Sequence, residues 1–162
     1  MSEDSKIAMM IDRYSPLWGG TENQLRQMSS FLKNEECSFF IITRRWDKGL
    51  LRFEKIDNVE IYRVGIPGKS LFSTLSYVFS IFILLFTKRS NFSIIHTNGA
   101  AALAVLGSMY SLILGKKSVA RMSSAGRVDH LLKGKAGIIA KFFLKRINAY
   151  ISLSQDITAE LI

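Results

Sequence analysis

Two adjacent glycines, Gly19 and Gly20, are where the sequence first suggests chemistry. A short apolar run at 7–11 precedes them and reads as a buried strand, with Pro16 in the intervening loop. From Thr21 onward the spacing of Leu25, Met28 and Leu32 predicts a helix to about Asn34, with Thr21 as its cap. A strand, a glycine turn and a helix start bring unpaired backbone N–H groups and the positive end of a helix to one place, which suits an anion. The missing side chains of Gly19 and Gly20 would let such a ligand approach the main chain. The spacing is not the dinucleotide fingerprint G-x-G-x-x-G, and a glycine pair of this kind also fits a purely structural turn.

Other polar residues sit where apolar runs end. The run at 92–97 ends in His96 and is followed by Asn98 and Gly99. A polar loop at 123–134 holds Ser123, Ser124, Gly126, Arg127, Asp129 and His130. His96 reads as an inner histidine; Asp129 and His130 read as solvated surface groups. Metal chemistry has no support: there is no D-x-D, and no His/Cys grouping has ligand spacing. A G-x-S-x-G nucleophile elbow and a P-loop are also missing, which disfavours a hydrolase and a P-loop nucleotide site. The single cysteine, Cys37, reads as a buried thiol and fits a reducing compartment.

The elements that must position these residues alternate. Short apolar or alternating runs at 38–43, 59–64, 92–97, 118–122 and 149–153 predict strands, the one at 59–64 nearer a sheet edge. Residues 44–57 read as a loop. Helices are expected at 71–86, at 99–114 and at 135–146, the last with Ile138, Ile139, Phe142 and Phe143 inward, and a final helix begins near Gln155 behind Ser154. Ala100, Ala101, Ala104, Gly107 and Ser108 suit the 99–114 helix to close packing on a sheet. Strand–helix alternation predicts an α/β fold over 1–162, a doubly wound, Rossmann-like parallel sheet in three layers, helix, sheet and helix. Ligands of such sheets bind beyond the carboxyl ends of the strands. The loops after 7–11, after 92–97, after 118–122 and after 149–153 should therefore share one rim.

The net charge of +9 favours an acidic partner. Its lysines and arginines are dispersed in small groups, without the basic stripe or aromatic–basic motif of a nucleic-acid binder, so no nucleic acid is expected. Anionic lipid is the better candidate, against an ordinary solvated surface. Residues 1–6 are polar and lack the pattern of a signal peptide, so the expectation is a cytoplasmic start. The stretch 71–86 is the most hydrophobic. As a helix it would run about 24 Å, short of the roughly 30 Å of a bilayer core. It reads as a helix packed on the sheet, with Ser73, Ser76 and Ser80 as a polar stripe, or as one that dips into a membrane surface with Lys88 and Arg89 at the headgroups.

With the loops placed, the sequence resembles the N-terminal domain of GT-B glycosyltransferases, specifically the retaining family 4. Four blocks carry the resemblance, in order: Pro16, Gly19, Gly20 and Glu22 as P-x-x-G-G-x-E; Ile94, Ile95 and His96 as I-I-H; Arg121, Ser124 and Gly126 as a strand and serine–glycine turn; and Tyr150, Ser154, Glu160 and Leu161 as Y-I-x-L-S with E-L. The resemblance implies that Gly19 and Gly20 approach a donor diphosphate, that Asn98 and Gly99 face the transferred sugar, and that Arg121, Ser124 and Gly126 line the acceptor side. Where some members carry a histidine after the I-I-H strand, this chain has Asn98, so no catalytic residue is assigned.

The implied function is transfer of a sugar from a nucleotide-sugar donor to a membrane-proximal glycan or lipid-linked acceptor, as in polysaccharide biosynthesis. No metal or other cofactor is implied. The paired glutamates and diphosphate-binding residues of the family's C-terminal half do not occur before Ile162. A C-terminal domain or partner subunit is therefore expected to complete the site, and the chain alone is expected to be inactive. The alternatives are a non-catalytic, membrane-associated subunit of a split GT-B enzyme, favoured if the 71–86 helix exposes an apolar face, and an unrelated nucleotide-binding domain. The latter is disfavoured because Arg44 and Arg45, not an acid for a ribose, follow the second strand.

Overall fold

A computed structural model of the chain describes residues 6–16, 19–34, 38–122 and 135–152. The described elements run β1 (Lys6–Ile11), α1 (Gly20–Asn34), β2 (Phe39–Arg44), β3 (Phe53–Ile56), β4 (Val59–Val64), α2 (Leu71–Thr87), β5 (Phe92–Gly99), α3 (Ala101–Leu114), β6 (Lys117–Met122), α4 (Lys135–Leu144) and β7 (Ala149–Ser152). The sheet order is β3-β4-β2-β1-β5-β6-β7. All neighbours pair parallel except β3 with β4. The expected doubly wound α/β sheet is what the chain forms, and the carboxyl ends of its parallel strands share one rim.

β1 alternates across two cores. Ala8 and Met10 pack with Phe40, Ile42, Tyr77, Ile81, Leu85, Ile95 and Tyr110 beneath α2 and α3. Met9 and Ile11 point the other way, toward Leu25 of α1, with Phe39, Ile41 and Ile61. Period-two alternation thus assigns each side chain of the central strands to one helical layer. Ala101 and Ala104 of α3 meet Ala120 and Met122 of β6 and Leu144 of α4, which places α4 in the same layer as α2 and α3. The small stripe of α3 seats that helix deeply. A Cβ on Gly107 would fall well inside van der Waals contact distance of Thr97 Cγ2, so only glycine allows this approach.

Two expectations are corrected. Residues 44–57 are not all loop: Phe53–Ile56 forms the edge strand β3, folded back on β4 through Asp57 and Asn58, both at positive φ. Its alternation spans four residues, too short to stand out from the surrounding polar sequence. On α4 the inward residues are Ala140 and Leu144, while Ile138, Ile139 and Phe142 are exposed. Hydrophobicity named the wrong face: Leu144, packed on Ala101 and Ala104 of α3, sets which side of α4 turns inward. The serine stripe expected on α2 faces inward at its start. Ser73 is buried and donates to the carbonyls of Ile66 and Gly68, and Ser76 accepts from the Ile66 N–H. The expected final helix near Gln155, the 123–134 loop and Cys37 lie outside the described residues.

Candidate functional site

The rim begins at the glycine pair. α1 starts at Gly20, one residue earlier than expected, so Thr21 lies in the first turn and is not the cap. The Gly19 carbonyl accepts from the Asn23 N–H. The backbone N–H groups that precede Asn23 in the first turn have no acceptor within the helix. Gly20 is exposed, and no atom lies within 4 Å of where its Cβ would sit. The fold itself therefore does not demand glycine at this position; the open space in front of it is compatible with a close-approaching ligand.

Behind this loop, β5 and β6 present polar side chains on the α1 side of the sheet. Asn98 lies between Ile11 of β1 and Arg121 of β6 in the strand register, and His96 lies beside Met9. Asn98 is 1% exposed, yet neither Nδ2 nor Oδ1 has a hydrogen-bond partner among the described residues. His96 is 6% exposed and its Nε2 is likewise unpartnered. Burial, with the Arg121 charge adding to it, pushes His96 down to about 4, so its ring is neutral near pH 7. Arg121 Nη2 donates to Gln24 Oε1 of α1 at 2.7 Å, tying the sheet to the helix that carries the glycine turn. Gly99, at φ 109°, ends β5 in a conformation that side chains disfavour and turns the chain into α3.

Of the residues singled out from sequence, Asn98, Gly99 and Arg121 are brought together on adjacent strands, and Gly19 and Gly20 head the helix to which Arg121 is bonded. Ser124 and Gly126 lie outside the described residues. His96 is an inner histidine, as expected, but its free Nε2 makes it a member of the polar group and not a satisfied core residue. Gln24 was not foreseen; a glutamine inside a predicted amphipathic helix carries no signal of its own.

Two buried arginines brace the same rim. Arg44 ends β2, and its Nη2 donates to Gly68 O at 3.2 Å, Ser73 Oγ at 3.0 Å and Thr74 Oγ1 at 3.1 Å. Its guanidinium stacks on Trp46 at 4.4 Å, and Arg13 stacks on the same indole at 4.7 Å. Arg63 of β4 pairs with Glu54 and donates to the carbonyls of Ser15 and Leu51. These bonds fix the loops after β1, β2 and β4 relative to one another, and their charge favours an anionic occupant of the rim. No group of three or more His, Cys, Asp or Glu is placed to hold a metal among the described residues.

No protein-family model matches the sequence, and no curated protein matches it at a significant level. Solved structures do match. Sucrose-phosphate synthase from Thermosynechococcus elongatus superimposes with a TM-score of 0.68 at 18% identity, over 97% of this chain and 44% of that one. The catalytic domain of starch synthase IV from Arabidopsis thaliana, bound to ADP and acarbose, gives 0.63 at 9% identity, over 90% and 44%. MurG from Acinetobacter baumannii gives 0.57 at 16% identity, over 91% and 40%. These are GT-B glycosyltransferases, and the chain has the fold of one Rossmann-like half of them. It spans less than half the length of each.

Proposed function

We propose that this chain is the acceptor-side half of a GT-B glycosyltransferase, of the retaining family-4 type. The enzyme moves a sugar from a nucleotide-sugar donor to a membrane-proximal glycan or lipid-linked acceptor. The observation that carries the reading is Asn98: a buried amide with both polar atoms unpaired among the described residues, on the rim where an α/β sheet binds ligands. An unpaired buried amide is costly, and a sugar hydroxyl would satisfy both its donor and its acceptor.

In this reading the open N-terminus of α1 at Gly19 and Gly20 meets the donor diphosphate. Asn98 and the neutral His96 hold hydroxyls of the transferred sugar, and Gly99 lets the backbone turn without a side chain intruding. Arg121, Ser124 and Gly126 serve the acceptor side. The remaining half of the cleft, with the leaving-group stabilisation, comes from a C-terminal domain or a partner subunit. A second reading, a non-catalytic membrane-associated subunit of a split transferase, is favoured by the exposed apolar outer face of α2.

The test is transfer from a panel of UDP-, GDP- and ADP-sugars by the protein together with its completing half. Expected is turnover with one donor class, reduced at least about a hundredfold by Asn98→Leu, whose fold is preserved. Turnover unchanged in Asn98→Leu would remove Asn98 from the site. If no donor is hydrolysed or transferred while each nucleotide-sugar fails to shift the Gly19, Gly20 and Asn98 amide resonances, the transferase reading falls.

A further inference from the structure

The outer surface of the α2–α3–α4 layer is unusual for a face turned to water. α2 and α3 carry no charged residue along their entire lengths. On α2, Ser73, Tyr77, Ile81 and Leu85 are buried, while Phe72, Leu75, Phe79, Ile83 and Phe86 form an exposed stripe at helical spacing. The stripe covers about 21 Å of helix at about 1.5 Å per residue. Phe72 is 68% exposed and Phe79 is 64% exposed. In the same layer, α3 exposes Leu112 and Ile113, and α4 exposes Ile138, Ile139 and Phe142. A solvated outer helix normally turns charge outward; this layer turns out apolar side chains.

Charge frames this face on one side of the molecule. Each helix of the layer runs directly into a basic pair: Lys88 and Arg89 after α2, Lys116 and Lys117 after α3, Lys145 and Arg146 after α4. Cations at helix ends are ordinary. Lys88 has a counterpart in Glu60, 3.8 Å away, but further acids are almost missing: between Glu60 and Asp156 the sequence has thirteen lysines and arginines and one acid, Asp129. The part of the chain that builds this layer is strongly cationic, and ten of the thirteen acids fall at or before Glu60, ahead of it in the sequence. Arg89 and Arg146 lie flat on Phe86 and Phe142, at 4.5 Å and 3.5 Å, so cation and aromatic ring meet at the margin of the patch. Among the described residues no helix is long and apolar enough to cross a membrane.

We propose that this layer is a lipid-docking surface: α2 lies in the plane of an anionic bilayer, its Phe72–Phe86 stripe sunk among the upper acyl chains, with Arg89 and the basic pairs after α3 and α4 against the headgroups. An apolar helical face with basic residues at its margin is what binds at such an interface. A second copy is a poorer occupant, because it would bring two cationic faces together. The proposal goes beyond the transfer reaction and does not depend on it.

Flotation of the full chain with vesicles tests it without any donor or acceptor. Vesicles of equal parts phosphatidylglycerol and phosphatidylcholine should carry the protein, phosphatidylcholine alone should not, and rising salt should release it. The double variant Phe72→Ser/Phe79→Ser should lose roughly tenfold or more of its partitioning, with its thermal midpoint unchanged. Lys117→Gln/Lys145→Gln should lose severalfold and flatten the salt dependence. In Phe79→Trp, the new indole should shift its emission to the blue on anionic vesicles. Undiminished flotation of the double serine variant overturns the proposal, as does equal binding to neutral vesicles. So does sedimentation showing that the same substitutions only dissolve a dimer.

Discussion

Thr97 and Asn98 are neighbours on one strand, yet they meet opposite surroundings. Thr97 faces α3, where its methyl lies against the backbone of Gly107 so closely that no side chain fits between, and its hydroxyl donates to Val119 O at 3.3 Å. Asn98 faces α1 and is as well buried, but its amide is unpaired among the described residues. One face of β5 is closed by packing; the other holds polar groups that the described chain does not satisfy. The difference teaches where to look for function: burial is common to both residues, and only hydrogen-bond satisfaction separates the structural one from the candidate ligand.

The comparison breaks most visibly on the packed side. Gly107→Val should cost about 3 kcal/mol in urea denaturation, since the stiff Thr97 side chain cannot retreat. Adding Thr97→Ser, which deletes the obstructing methyl and keeps the hydroxyl, should recover a good part; a double variant no more stable than the single one would contradict the proposed contact.

On the α1 side the largest effect comes from pH. His96 titrates at about 4 in the folded chain against about 6.5 unfolded. Its folded value is depressed, so below about pH 6.5 the unfolded chain binds the extra proton and the folded state loses ground until about pH 4. Between pH 8 and pH 5 this amounts to about 2 kcal/mol, which His96→Gln should abolish in paired melting curves. Asn98→Leu is smaller and opposite in sign. Removing two unpaired polar atoms should leave stability level or raise it by about 1 kcal/mol, while weakening ligand binding. A clear loss of stability would mean that Asn98 is a structural residue after all. Smallest is Arg121→Met. Removing a nearby positive charge should raise the His96 titration midpoint by a few tenths of a unit, readable by NMR, because burial remains the leading cause.

The order and kind of the long elements were legible because apolar runs of the right length alternate with turn residues. The strand at Val59–Val64 and the helix at Lys135–Leu144 begin where the pattern places them. What escaped depended on partners distant in sequence. β3 is a strand only because β4 lies beside it. Ile138 and Phe142 of α4 face outward because Leu144 packs on Ala101 and Ala104 of α3, with Ala140 buried one turn before it. Asn98, Gly99 and Arg121 were legible as residues at strand ends. That Asn98 and His96 keep unpaired polar atoms could not be read, since satisfaction is a property of neighbours. Gln24 entered the group only through Arg121, from far along the chain.

The β3–β4 hairpin has a consequence for how the chain reaches this fold. Asp57 and Asn58 close it locally, and a hairpin of this size forms in about 1–10 μs. Every other strand pairing must wait for a longer crossing, and the central pair, β1 with β5, joins Ile7 to Ile94. The margin of the sheet therefore has the means to assemble first and its middle last. The slow step of folding is then the one that brings Ile11 and Asn98 side by side, so the candidate site takes shape only as the whole sheet closes.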